Sequence, residues 1–201
     1  MSLQYEIDEA RAELSTDSYP MSIGELMSIY QQKELDIHPE FQRFFRWTEY
    51  QKSRLIESIL LGIPIPSIFV SQRPDGIWDV VDGLQRLSTI FQFTGILRDE
   101  NDNLVNPLVL EKTKYLPSLE NKKWNDENDP ENSLTNAQRL IIKRSKLDIS
   151  IILYLSDRRG KFELFQRLNT GGSPLSAQEV RNSILVMLNP EYYRWIRELS
   201  Q

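Results

Sequence analysis

The chain has 201 residues, 40% of them hydrophobic, with no cysteine, one histidine and a formal net charge of -5. That supports one sizeable core but hardly two full domains, excludes disulfides and thiolate metal sites, and makes a reducing cytoplasm the expected setting. The acidic balance argues against a general nucleic-acid coat, so any anion site must be local. The longest apolar candidate, 55–70, is broken by Gly62, Pro64 and Pro66, well short of the roughly 20 residues of a membrane helix, and no membrane association is expected.

Residues 1–20 are polar and read as a loose arm or short helix ahead of a main domain over 21–188. Ser22 and Glu25 have capping-box spacing, and Ile23, Leu26, Met27 and Tyr30 recur at helical period after them. A short strand at 35–37 follows, and His38 before Pro39 reads as an ordinary surface or core side chain. Thr48 with Gln51 repeats the capping spacing and opens a helix that stops at Gly62. Two strands are expected at 67–71 and 77–81, joined into a hairpin by Arg73-Pro74-Asp75-Gly76. A helix over 84–97 puts Leu87, Ile90, Phe91 and Thr94 on one face.

Residues 99–118 look irregular with some strand content, and 120–136, rich in Asn, Asp, Glu and Lys, read as an exposed loop. A helix at 137–146 leads into the clearest buried strand, 147–155. Helices are expected at 162–168 and, capped by Ser176 and Glu179, at 176–188. A last amphipathic helix spans 189–201, and Tyr193, Trp195 and Ile196 suit it to packing on a partner or a further domain. Gln201 ends the chain inside this helical pattern, as in a piece of a longer protein. The pattern predicts an α+β fold, a mixed sheet flanked by helices with additional helices toward the C-terminus.

Three Gln-Arg phrases carry candidate chemistry. Asp82-Gly83-Leu84-Gln85-Arg86 follows an apolar run and precedes a helix, the strand, glycine turn, helix order at which phosphates bind. There Gly83 allows positive φ and close approach, Asp82 can hold a divalent cation or orient water, and Gln85 and Arg86 can hold phosphate oxygens. The plainer alternative is a hairpin-to-helix turn in which Asp82 caps the helix and Arg86 lies at the surface. Phe41-Gln42-Arg43-Phe44-Phe45-Arg46-Trp47 mixes aromatic groups with two arginines, which need either an anion or simple aromatic packing over their stems. In Phe165-Gln166-Arg167-Leu168-Asn169-Thr170-Gly171-Gly172 the last four residues are either a helix stop or a loop whose Asn169 and Thr170 face a ligand. No Gly-x-x-x-x-Gly-Lys loop and no Gly-x-Gly-x-x-Gly fingerprint occurs.

Together these phrases resemble the domains at the N-terminus of GmrSD-type modification-dependent restriction enzymes, a prokaryotic family related in fold to ParB and sulfiredoxin. The family's aromatic-Gln-Arg segment is matched by Phe41, Gln42, Arg43, Phe45 and Trp47, and its Gly-x-Pro-Ile phrase by Gly62 to Ile68. Its Asp-Gly-Gln-Gln-Arg hallmark is matched by Asp82, Gly83, Gln85, Arg86, Leu87 and Thr89, and its Asn-Thr-Gly-Gly phrase by Leu168 to Ser176. Leu84 stands in place of the first glutamine and Ser88 in place of a threonine.

The resemblance implies a nucleoside triphosphate and Mg2+ as cofactors, and hydrolysis coupled to cutting of modified DNA by a nuclease domain elsewhere. In this reading Arg43 and Arg86 neutralise phosphates, Gln42 and Gln85 fix oxygens or the attacking water, and Asp82 holds Mg2+ or acts as base. Gly83, Ser88 and Thr89 add phosphate contacts, and Asn169 and Thr170 close the site. Expected partners are the nucleotide, DNA through the nuclease domain, and a second copy of the chain. Two other readings stand beside this one. The first is a DNA- or partner-binding module using a basic stripe of Arg139, Lys143, Arg144 and Lys146. The second is a nucleotide binder without turnover, hinted at by Leu84.

Overall fold

The computed structural model describes residues 2–7, 16–37 and 47–153. The helices expected at 162–168, 176–188 and 189–201, together with His38, lie outside these residues. Strand β1, Thr16–Ser22, runs into α1, Ile23–Gln31, through a capping box. In it the Ser22 hydroxyl accepts from the Glu25 N–H at 3.2 Å, and the Glu25 carboxylate accepts from the Ser22 N–H at 2.7 Å. Residues 3–7 form a short helix, one of the two expectations for the polar N-terminal stretch, and from Thr16 onward that stretch supplies a sheet strand.

β2, Leu35–Asp36, precedes α2, Glu49–Leu60, whose capping box is Thr48 with Gln51. β3, Ile68–Gln72, and β4, Trp78–Asp82, form the expected hairpin. Its turn is closed by Arg73 N–H to the Ile77 carbonyl at 2.8 Å and by Gly76, at φ 87, donating to the Arg73 carbonyl at 3.0 Å. α3, Leu84–Phe93, stops short of the expected 97 because Gly95 takes φ 75. Ile96 N–H then turns back to the Phe91 carbonyl at 2.9 Å, a glycine stop inside a run that is apolar on both sides. α4, Asn136–Arg144, starts at a third capping box, Thr135 with Gln138, and delivers the chain to β5, Lys146–Ile152.

The five strands form one mixed sheet in the order β1-β5-β3-β4-β2. β1 is antiparallel to β5 and β3 antiparallel to β4, whereas β3 runs parallel to β5 and β2 parallel to β4. The fold is α+β. Leu147, Ile149 and Ile151, alternating along β5, join Ile68 and Val70 of β3 with Ile23, Leu26, Ile56, Leu87, Ile90 and Phe91 of the helices in one core. Each such side chain, fully buried, stabilises the fold by about 1.5–3 kcal/mol.

The segment 120–136 is more than a surface loop. Lys123 Nζ lies 2.8 Å from Asp126 Oδ2 and 3.1 Å from Asp129 Oδ2, and the Ser133 hydroxyl accepts from the Asp126 N–H at 2.7 Å. Leu134 is buried, and Trp124 meets Phe93 edge-on at 5.8 Å. Its many polar residues satisfy one another, so composition that resembles solvent-loving loop instead builds a fixed one.

Candidate functional site

β4 carries the chain to Asp82, which pairs with Phe69 across the hairpin, and Gly83 then turns it into α3 with φ 97 and ψ 9. α1, α2 and α4 each have a capping box, whereas α3 has no side-chain cap. Its N-cap, Gly83, has no side chain with which to accept from the first N–H groups of the helix. Gly83 is there for a packing reason as well: a Cβ at this position would lie 2.3 Å from Ile68 Cδ1 and 3.3 Å from Arg86 Nη2.

Arg86 is not the surface group of the plainer alternative. Its side chain is only 12% exposed. Nη2 donates to Asp82 Oδ2 at 2.9 Å, and Nη1 donates to the Ser67 carbonyl at 3.0 Å and to the Pro66 carbonyl. Burial lowers its pKa, while the Asp82 charge and hydrogen bond work in the other direction. Asp82, also against the plainer alternative, makes no capping bond to the helix. Its side chain is 45% exposed, with one oxygen engaged by Arg86.

Gln85 Oε1 accepts from the Trp47 N–H at 3.3 Å, so the end of the first aromatic-arginine phrase reaches the second phrase. With Pro66, Ser67 and Ile68 also touching this turn, three of the four phrases singled out in the sequence meet at Asp82 to Arg86.

Residues 23–186 match the family described as GmrSD restriction endonuclease, N-terminal domain. The chain belongs to this family. Comparison with curated proteins and with solved structures gave no match. As a GmrSD N-terminal domain it is part of a restriction system, and the matched residues begin at the first residue of α1, so β1 lies outside them.

Not every predicted site residue of this GmrSD domain faces the turn openly. Ser88 is 7% and Thr89 1% exposed, because α3 is buried continuously from Leu87 to Phe91 rather than along one stripe. The Thr89 hydroxyl has no hydrogen-bond partner among the described residues. Gln42, Arg43, Asn169 and Thr170 lie outside the described residues. Among those described, no group of three or more His, Cys, Asp or Glu is placed to hold a metal ion. No described helix is long and apolar enough to cross a membrane.

A cleft of about 640 Å³ lies elsewhere, lined by Leu35, Ile37, Arg73, Gly95 and Arg98 among others. It sits at the C-terminal end of α3, about 15 Å of helix away from Gly83. Its charges are already matched: Arg73 bonds Asp36 Oδ2 at 2.7 Å and also Asp79, and Lys33 lies 3.6 Å from Asp102. The turn, where three phrases converge, is the better candidate.

Sequence reading missed two anchoring side chains. Ser53 Oγ accepts from the Glu111 N–H at 2.9 Å, and Glu57 Oε1 accepts from the N–H groups of Tyr115 and Leu116 at 2.8 and 2.9 Å. A helical heptad pattern marks both positions as polar and therefore outward, and only their distant partners reverse that.

Proposed function

We propose that this domain binds a nucleoside triphosphate with Mg2+ at the β4 to α3 turn, hydrolyses it, and couples hydrolysis to DNA cleavage by a separate nuclease domain. The setting would be the cytoplasm of a prokaryote restricting modified phage DNA. The observation that carries the reading is the glycine-led start of α3, flanked by a partly exposed carboxylate and a guanidinium whose side chain is 12% exposed. Free N–H groups at a helix start, with the positive end of the helix dipole, favour phosphate oxygens.

Asp82 keeps one carboxylate oxygen away from Arg86, and that oxygen would serve Mg2+ or accept a proton from water. One carboxylate suits Mg2+ only when phosphate oxygens and waters complete its coordination, so the ion would arrive with the nucleotide. Bound Mg2+ supplies charge neutralisation at the phosphates. Arg86 adds a fixed positive charge behind the turn. Gln85 would orient an oxygen, with Gln42 and Arg43 joining from the phrase that ends at Trp47 and Asn169 and Thr170 from theirs.

Phosphate release from ATP, GTP, CTP and UTP with Mg2+ tests the chemistry. At least one should be turned over, and Asp82→Asn, which preserves shape and removes charge, should cut turnover by about tenfold or more while changing nucleotide affinity far less. Wild-type turnover in Asp82→Asn would take the carboxylate out of the reaction.

A further inference from the structure

The Arg86 guanidinium is committed to the protein on two sides. Nη1 spends its bonds on the Pro66 and Ser67 carbonyls at the exit from α2, and Nη2 spends one on Asp82 at the end of β4. Gly83 backs the group so closely that an added Cβ would lie 3.4 Å from its Cζ. A bidentate grip on phosphate needs two adjacent N–H groups pointing the same way. Three of the five N–H groups are used in the bonds to Pro66, Ser67 and Asp82, and a grip through Nη1 would release a carbonyl that joins the loop to the turn. That exchange is unfavourable because it leaves the carbonyl short of its hydrogen bond, so only the Nε edge of a side chain 12% exposed remains for a ligand.

We infer that Arg86 is a positioning residue, holding Asp82 and the 66–67 carbonyls so that the carboxylate's second oxygen and the α3 N–H groups face the nucleotide, while itself making no bond to phosphate. The inference rests on the nucleotide reading above for what is being positioned. The clamp itself rests on the hydrogen bonds alone. Without it, the Asp82 side chain, 45% exposed, would have no fixed rotamer, and the turn would lose its tie to the loop after α2.

Arg86→Lys, Asp82→Asn and the double variant, each in the full chain, separate these roles. Lysine keeps the charge but is a single point donor without the planar fork. Arg86→Lys should lower the melting temperature without nucleotide by about 5 °C, lower kcat by about tenfold, and leave the dissociation constant for Mg2+-nucleotide within about threefold. Asp82→Asn should cost less melting temperature on top of Arg86→Lys than alone, as expected of directly coupled partners. Arg86→Gln, which retains planar N–H donors, gives the same readouts if the lysine variant folds poorly. An affinity loss of about tenfold or more at unchanged melting temperature would make Arg86 a direct phosphate ligand and overturn the inference. Fully additive melting losses would overturn it as well. If the wild type binds no nucleotide, the function proposed above fails, and the melting cycle still decides for or against the clamp.

Discussion

Gly83→Ala should destabilise the domain by about 3 kcal/mol and lower its melting temperature by about 10 °C. Two costs add at this position. An L side chain is strained at φ 97, worth about 1–2 kcal/mol. Its Cβ would also fall 2.3 Å from the tip of Ile68, a residue with no exposed surface and therefore little room to move. Gly76→Ala separates the two, since Gly76 has φ 87 but no atom within 4 Å of the added carbon. It should lose only the backbone part. Equal losses at the two glycines by thermal melting would show that the contact with Ile68 is not what makes Gly83 necessary.

Glu57→Ala should cost a comparable amount, about 3 kcal/mol, because it removes two charge-assisted hydrogen bonds, from the N–H groups of Tyr115 and Leu116 to the buried carboxylate. Glu57 is 4% exposed, on the inner side of α2. Burial pushes its pKa up, but the hydrogen bonds from Thr113, Tyr115 and Leu116 and the nearby Arg54 charge outweigh this, and the net shift is downward. The folded carboxyl therefore binds its proton more weakly than the unfolded one. Its stabilisation is complete above the ordinary glutamate value, about pH 4.3, and is lost as pH falls through the lower folded value. Glu57→Gln keeps an acceptor oxygen for both N–H groups, so denaturant unfolding should show a smaller loss than for alanine at pH 7. It should also show a weaker fall of stability below pH 4 than the wild type shows. An acid limb identical in wild type and Glu57→Gln would remove Glu57 as its source.

Much of the fold is legible where cause and effect are close in sequence. The capping boxes at Ser22 and Thr48 and the Pro74-Asp75-Gly76 turn appear as read, because three or four residues contain the whole interaction. The hairpin strands fall one residue later than periodicity suggests, an ordinary boundary shift. β1 was hidden because its partner, β5, lies at the other end of the described chain, and its polar residues carry no alternation signal. The site was legible in part. Asp82 and Gly83 sit at the strand-to-helix turn as expected, but the burial of Arg86 depends on carbonyls of Pro66 and Ser67 that no local pattern announces. Ser88 and Thr89 look solvent-facing by type, and only the enclosure of α3 shows otherwise.

Calorimetric titration of the wild-type chain with each of ATP, GTP, CTP and UTP, in the presence of Mg2+, puts the nucleotide site to its most direct test. Saturable one-to-one binding of at least one triphosphate is expected, with a dissociation constant of about 100 μM or tighter, equivalent to about 5.5 kcal/mol, and Mg2+ alone should give no saturable heat. No saturable binding of any of the four at about 1 mM, close to only 4.1 kcal/mol, would contradict the account.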